Sequence, residues 1–233
     1  MRVNAQYNVA RPNSLPITIA VHQRRKMLTA FLRVMHVSAD DTILDIGATS
    51  DCTYADSNYL EAWYPHRRRI TAVGIDDVAV IETIYPGTKF VRADGLDLPF
   101  KSGCFDYVHS SAVLEHVGQH CQQIRLLREM WRVARAGIFV TTPNRWFPVE
   151  FHTLLPLLHW LPGSVYRRVL RALGLEFFAA EENLNLLSRR SLGDAARVAG
   201  IERFSISVVS LLSLPTNLLL TAHKQPSRAI TGG

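Results

Sequence analysis

The stretch Thr42–Asp51, TILDIGATSD, decides the fold. Its first five residues form a short, mainly apolar run typical of a buried strand, and Gly47 then begins a tight turn. Turns that bind nucleotides usually carry two or three glycines, but Thr49 and Asp51 occupy the later positions here. The stretch therefore predicts the opening of a nucleotide-binding α/β domain whose first loop is poor in glycine and carries an acidic side chain.

The rest of the chain alternates between short apolar runs and helical patterns, which predicts a doubly wound parallel sheet with helices on both faces. The runs are almost continuously apolar, as strands buried on both faces require. We predict strands over residues 42–47, 69–75, 89–94, 105–110, 137–142, 202–210 and 216–223.

Apolar residues at helical spacing predict amphipathic helices over 20–37 and 119–135, and a shorter helix over 57–64. Ser188 is a start signal for a further helix, which Gly200 ends. These helices lie between predicted strands or ahead of the first one, as the alternating fold requires.

The sequence predicts one domain over 1–233 with three special segments. Residues 144–187 are rich in leucine, proline and aromatic residues and are too long for a simple connection, so we expect a helical insertion or lid over the sheet edge. Residues 1–40 are expected to form a helical cover, and residues 225–233 a disordered tail. A content of 48% hydrophobic and 20% charged residues fits a globular domain.

Composition narrows the class of protein. The net charge of +6 comes mostly from arginine, but the arginine clusters are not interleaved with aromatic residues, so a solvated surface is favoured over a nucleic-acid platform. No apolar run reaches the length of a bilayer span, and the polar N-terminus does not resemble a signal peptide. The three cysteines are scattered without metal spacing, which predicts reduced, mostly buried thiols in a cytoplasmic protein and no metal site.

The strand ends carry the candidate ligand contacts, because ligands of doubly wound sheets bind beyond the carboxyl ends of the strands. Three of the predicted strands end in aspartate. A carboxylate accepts hydrogen bonds from two hydroxyls at once, so Asp76 suits a ribose diol, and Asp94 suits an exocyclic amine. Asp45 could instead cap the following helix, and the other two could be turn residues.

The first loop favours one kind of nucleotide. A pyrophosphate requires close glycine backbone and no competing anion, and Asp51 would repel it. A nucleoside that carries a sulfonium and an ammonium instead of phosphate would gain from nearby carboxylates. The loop therefore suits S-adenosylmethionine (SAM) better than NAD.

Five motifs in order resemble class I SAM-dependent methyltransferases, and the branch with the quinone-biosynthesis methyltransferases is the most similar. The resemblance implies a Rossmann-like, seven-stranded, mostly parallel sheet with an antiparallel last strand. The motifs, all within about residues 40 to 145, are LDIG (44–47), AVGID (72–76), ADGLDLPF (93–100), FDYVHSSAVLEHV (105–117) and TTPNRWFP (141–148).

The resemblance also implies roles for residues at the strand ends. The implied cofactor contacts are Asp45 and Gly47 for the methionine part of SAM, Asp76 and the adjacent Asp77 for the ribose, Asp94 with Gly95 or Leu96 for the adenine, and Ser110 and Ser111 facing the cofactor. His116 would lie at the floor of the site, although Glu115 and His116 could also be a solvated helix end.

Methyl transfer needs alignment of the acceptor with the methyl group, and a base if the acceptor starts protonated. Candidate catalytic residues are His116 and the pair Glu150 and His152 of VEFHT, whose side chains would point to one side if the segment were extended. The alternative is that Glu150 and His152 have only a structural role and hold the insertion in place.

Substrate contacts are expected just after the fifth strand. They are Asn144, Arg145, which could hold an anionic acceptor, and Trp146. The apolar insertion favours a small-molecule, lipid-like or saccharide acceptor. The strand is followed by PNRW and not by the tetrad of base methylators, so no nucleic-acid partner is expected.

Residues 164–175 form a basic amphipathic pattern that could contact an anionic membrane surface peripherally, although a cover helix is the commoner use. Two other functions stay open. One is a catalytically silent SAM-binding module, and the other is an NAD-dependent oxidoreductase, for which the YxxxK pair is absent. The sequence leaves the oligomeric state open.

Overall fold

The computed structural model describes residues 10–11, 14–50, 54, 56–75 and 80–224, so Asp51, Asp76, Asp77 and the predicted tail lie outside the described residues. In the described part, seven strands form one sheet. They are β1 (Ile43–Ile46), β2 (Ile70–Gly74), β3 (Lys89–Arg92), β4 (Phe105–Ser111), β5 (Ala134–Pro143), β6 (Ser205–Leu211) and β7 (Leu214–His223).

The strand order is β3-β2-β1-β4-β5-β7-β6. The pairs among β1 to β5 are parallel, and β7 is antiparallel to both β5 and β6. This arrangement confirms the predicted doubly wound Rossmann-like sheet with an antiparallel last strand. The order reverses between β1 and β4, and the cleft described below opens at this switch point.

Seven α-helices accompany the sheet in the described ranges. None of them has both the length and the apolar character needed to cross a bilayer. They are α1 (Leu15–Val34), α2 (Tyr59–Trp63), α3 (Val80–Ile84), α4 (His120–Val133), α5 (Gly163–Ala172), α6 (Glu176–Ala179) and α7 (Arg189–Val198).

Helix α1 begins five residues before the predicted start and ends three residues before the predicted end. Pro16 is tolerated in the first turn of a helix, where its missing N–H costs no hydrogen bond. The helix ends because His36 adopts a positive φ of 54°. At α7 the prediction is confirmed: Ser188 and Ser191 form a reciprocal capping box, and Gly200 follows the helix with a φ of 89°.

Two apolar cores lie on opposite faces of the sheet, because successive side chains of a strand point to opposite sides. Leu44 and Ile46 of β1 pack into the core under α4 and α7. Ile43 packs with Phe31 into the core under α1 and α2.

The segment between β5 and α7 forms the predicted helical insertion, with α5, α6 and a 3-10 turn over Leu158–Trp160. It has an apolar cluster of its own, which includes Leu170 and Phe178. One expectation is wrong: Cys104 and Cys121 are exposed, not buried, and Cys52 lies outside the described residues.

The packing of β5 against β7 predicts a cost for any side chain at Gly137. A Cβ there would overlap the carbonyl oxygen of Ala222 and lie 2.7 Å from Cε of Met35. A shift of the paired backbone of β7 costs more free energy than a side-chain rotation. We therefore expect Gly137→Ala to lower the free energy of unfolding by about 1–3 kcal/mol in denaturant titration. Gly163→Ala, where no heavy atom lies within 4 Å of the added Cβ, is the control. Equal stabilities of the two variants would contradict the packing argument.

Candidate functional site

A cleft of about 320 Å³ opens beyond the carboxyl ends of β1, β2, β4 and β5. The turn after β1 and the end of β2 form one side, and α1 covers it with residues such as Ile17 and Met27. Phe151 and His152 of the insertion also line it. Its volume lies in the range of small-molecule sites, at about 300–1,000 Å³.

The turn after β1 combines a glycine with a side-chain clamp. Gly47 has a φ of 109°, and a Cβ at this position would overlap Cγ2 of Val113. The backbone N–H groups of Gly47 and Ala48 both donate to the carbonyl of Val73 at 2.9 Å. Asn58 accepts from the N–H of Thr49 at 2.9 Å and donates to its carbonyl at 2.8 Å. This buried amide fixes the part of the loop where further glycines were expected.

Four of the predicted cofactor-binding residues line this cleft: Gly47, Asp94, Gly95 and Ser111. Asp94 is exposed, and its Oδ1 accepts from the N–H of Leu96 at 2.9 Å, which holds the loop after β3 in a tight turn. A Cβ on Gly95 would lie 2.9 Å from Leu126 and 3.0 Å from Ile46, so this glycine permits close packing under the cleft.

Three other predicted cofactor residues lie off the cleft. Asp45 and His109 are register partners on neighbouring strands, and Asp45 Oδ1 lies 2.5 Å from His109 Nδ1 beneath α1 and α2. The Ser110 hydroxyl donates to the carbonyl of Ile46 at 3.1 Å. Leu96 packs against the core under α4. The strand alternation explains Asp45: Ile46 faces the cleft, and the preceding side chain therefore points to the opposite face.

Asp45 belongs to a buried polar cluster under the cleft. The Tyr59 hydroxyl lies 2.9 Å from His109 Nε2, and Glu61 is 0% exposed. Burial raises the pKa of Asp45 to about 7 and lowers the pKa of His109 to about 4. Burial, together with the charge of Asp45, raises the pKa of Glu61 well above its ordinary value. The cluster holds a neutral histidine and carboxyl groups that resist ionisation.

The insertion brings the three predicted catalytic residues together at the end of the cleft. His116 Nε2 lies 3.1 Å from His152 Nε2, and His152 Nδ1 lies 2.6 Å from Glu150 Oε1. The segment is not extended as VEFHT suggested. It turns, because the Glu150 carboxylate also accepts from the N–H groups of His152 and Thr153 and from the Thr153 hydroxyl.

The pKa shifts follow from these contacts. Burial opposes ionisation of Glu150, but the charge of His152 and the hydrogen bonds outweigh it and lower the pKa to about 2. Burial lowers the pKa of His116 to about 3, with a further contribution from the charge of His152. For His152 the burial effect is overcome by Glu150, and the pKa is raised.

Glu115 was missed as a site residue and is not part of a solvated helix end. It is 0% exposed, and its Oε2 accepts from the Thr142 hydroxyl at 2.8 Å. Its Oε1 lies 3.9 Å from His116 Nε2 and has no hydrogen-bond partner among the described residues. The LEHV motif predicted a site for His116, but only the fold brings Thr142 of β5 beside Glu115.

The predicted substrate residues lie outside the cleft. Asn144 is buried and donates to the carbonyl of Pro215 at 2.9 Å, which ties the end of β5 to β7. Arg145 donates to the carbonyl of Leu161 at 3.2 Å and, together with Trp146, lines a separate surface groove. None of the three side chains therefore lines the cleft beside the histidine pair.

Two further residues were missed, and both lie on α1. Gln23 and Arg24 line the cleft. The Arg24 guanidinium forms a 2.5 Å ion pair with Asp56. The sequence predicted a covering helix, but no motif indicated which of its faces meets the cleft.

Comparison with known proteins finds methyltransferases both by sequence and by fold. Residues 44–141 match a family model described as a methyltransferase domain. Among solved structures, magnesium protoporphyrin IX methyltransferase from Synechocystis, with bound S-adenosylhomocysteine, is similar with a TM-score of 0.56 and 14% identity over 94% of this chain and 91% of that one. A possible histamine N-methyltransferase from Thermotoga maritima is similar with a TM-score of 0.55 and 16% identity, over 88% of this chain and 92% of that one. The chain therefore shares the fold of these solved methyltransferases, and its residues 44–141 are similar to a methyltransferase domain.

Sequence relatives are matched over part of their length. A probable S-adenosylmethionine-dependent methyltransferase of Mycobacterium tuberculosis is 34% identical over 82 residues, which are 34% of this chain and 29% of the relative. An uncharacterized methyltransferase of Mycolicibacterium gilvum is 33% identical over 156 residues, covering 55% of this chain and 59% of the relative. The chain spans less than two thirds of the length of these curated relatives.

The buried cluster predicts a pH dependence of stability. Because the pKa of Glu61 is higher in the folded than in the unfolded state, the folded protein retains a proton that the unfolded chain releases, and stability falls as the pH rises above about 4.5. Glu61→Gln does not ionise, so its free energy of unfolding should fall less steeply between pH 5 and 8 in denaturant titrations. The exposed Glu202→Gln is the control. Parallel curves for Glu61→Gln and wild type would contradict this prediction.

Proposed function

We propose that this chain is a class I SAM-dependent methyltransferase that transfers the methyl group of SAM to a small, partly apolar acceptor of lipid-like chemistry. The observation that supports it is the geometry of one cleft. Gly47 of the turn after β1, Asp94 and the His116–His152 pair all line it. A cofactor held at the strand ends would share this cleft with the two histidines.

The cleft fits a nucleoside without phosphate. Among the described lining residues, Arg24 is the one Lys or Arg side chain, and its charge is engaged by Asp56. Asp94 contributes a carboxylate instead. We propose Asp94 and Gly95 as the adenine contacts, and Gly47 and Ser111 as contacts to the rest of SAM. Asp76 and Asp77 remain candidates for the ribose hydroxyls and lie outside the described residues.

SAM supplies an electrophilic methyl group on a sulfonium when it is bound. The residues of this chain align the acceptor and exclude water, which is most of what such an in-line displacement requires. Ile17 and Met27 of α1 cover the cleft, and Phe151 closes it from the insertion. We propose that His116 and His152 contact the acceptor, and that Glu150 acts through His152 as a positioning residue.

The insertion supports a lipid-like acceptor. Apolar side chains are exposed on its outer surface, including Trp160 at 41% and Val165 at 38%. Arg168 and Arg171 of α5 are exposed on the same helix as Val165. An exposed aromatic and basic surface of this kind suits peripheral contact with an anionic membrane, from which a lipid-like acceptor could enter.

Removing the charge of Asp94 tests the cofactor assignment. Asp94→Asn keeps a side-chain oxygen for the turn with Leu96 but removes the carboxylate that the proposal gives to the adenine amine. Since hydrogen bonds to charged groups contribute about 1.5–3 kcal/mol, we expect SAM affinity in calorimetry to fall by about tenfold. Asp97→Asn, an exposed neighbour that does not line the cleft, is the control. Equal affinities in both variants would refute the contact, and NAD binding in place of SAM would refute the class.

A labelled-methyl screen tests the reaction. Wild-type protein with methyl-labelled SAM and cell extract should label material that partitions into organic solvent. His152→Ala should lose about 10²-fold or more of this transfer, because an acceptor group held in the reactive geometry contributes on that scale, while SAM affinity stays near the wild-type value. No labelled product from wild type would favour a silent SAM-binding module, and a water-soluble product would refute the lipid-like acceptor.

A further inference from the structure

We propose that Glu115, His116 and His152 form a binding site for a divalent first-row transition metal ion at the acceptor end of the cleft. The inference rests on the proposed function for the place of the acceptor. The metal ligands themselves are identified by side-chain geometry. One ring nitrogen of His116, one of His152 and a Glu115 carboxylate oxygen all lie within 4.8 Å of one another.

The two imidazoles present the same nitrogen to a common point. Nδ1 of His116 lies 2.6 Å from the carbonyl of Asn183, and Nδ1 of His152 lies 2.6 Å from Glu150 Oε1. Both partners are acceptors, so each Nδ1 carries the hydrogen in the bond. Metal-ligating histidines are oriented in this way, by a carbonyl or a carboxylate at the other ring nitrogen.

The distance between the two Nε2 atoms, 3.1 Å, matches neighbouring ligands of one ion. With metal–nitrogen bonds of about 2.0–2.1 Å, adjacent ligands lie about 2.8–3.0 Å apart in octahedral geometry and about 3.3–3.4 Å apart in tetrahedral geometry. The rings meet edge to face, with an angle of 89° between their planes.

Glu115 supplies the third ligand. A buried carboxylate oxygen without a partner is costly, because it has lost water without gaining a hydrogen bond. Glu115 Oε1 is such an atom within the described residues, and it lies 3.9 Å from His116 Nε2. Oε2 is held by Thr142, so the free oxygen is aimed at the histidine pair and needs a shift of about 1 Å or less to reach ligand spacing.

The donor set indicates the kind of ion. Two imidazoles and one carboxylate suit Zn²⁺, Fe²⁺, Co²⁺ or Mn²⁺, whereas Mg²⁺ and Ca²⁺ prefer all-oxygen sites. The cleft side of the cluster is open to a further ligand, because His116 and His152 line the cleft wall.

An ion here would prepare a hydroxyl acceptor for methylation. A metal-bound hydroxyl loses its proton more readily than a free one, and that proton passes to solvent. The acceptor oxygen then forms the bond to the methyl carbon as the sulfur–methyl bond breaks, and S-adenosylhomocysteine leaves with the electron pair. The site would therefore select acceptors with a hydroxyl group.

Cobalt titration of the metal-stripped protein tests the site. We expect visible absorption bands from one bound Co²⁺ per chain, competed by Zn²⁺, with stoichiometry checked by equilibrium dialysis. Glu115→Gln should weaken binding by at least about tenfold, and His152→Ala should abolish the bands, since each removes a ligand. His120→Ala, which removes an exposed histidine four residues from His116, should bind as wild type.

Two controls distinguish loss of folding, loss of metal binding and loss of SAM binding. Circular dichroism establishes that each variant is folded, and if Glu115→Gln is not, His152→Ala decides alone. No stoichiometric binding by wild type, or unchanged binding by both ligand variants, overturns the metal site. SAM calorimetry is run on stripped and loaded protein in parallel. SAM binding without metal binding refutes this inference alone, and metal binding without SAM binding refutes the proposed function alone.

Discussion

The close approach of β1 to the loop after β4 is the constraint on which the cleft depends. Val113 packs against Gly47 where a side chain on Gly47 would overlap it. The contact leaves no room for a Cβ at Gly47, and the positive φ of this residue is a conformation that glycine adopts readily. Asn58 then holds the following residues through Thr49. A loop with one glycine keeps its shape because a buried amide replaces backbone freedom with hydrogen bonds.

The fold could be predicted from the sequence because the patterns that indicate strands and helix ends are local. Buried parallel strands such as β1 and β2 are short apolar runs, and Ser188 and Gly200 mark the ends of α7 by the backbone conformations they favour. The family match over 44–141 and the sheet order agree with that prediction. The start of α1 was harder to predict, because a proline in the first turn reads as a helix breaker unless its position is known.

The positions of the site residues could be predicted only in part, because these residues contact others that are distant in the sequence. Strand-end position correctly brought Gly47 and Asp94 to the cleft, but it does not say which face a side chain takes. Asp45 therefore points to the face under α1 and α2, where it lies against His109 and does not line the cleft. Glu115 is separated from Thr142 by a helix and a strand, so its buried carboxylate could not be inferred from LEHV alone.

The Glu150 turn fixes the His152 ring from within the insertion itself. Four donors from His152 and Thr153 converge on its carboxylate, so the ring is fixed by residues that lie next to it in the chain. The insertion thus carries the proposed acceptor contact, His152, already oriented. An exchange of the insertion between homologous scaffolds would transfer the shape of the cleft and the proposed acceptor contact together. An exchange that stops at residue 151 would separate the two, because it leaves His152 out.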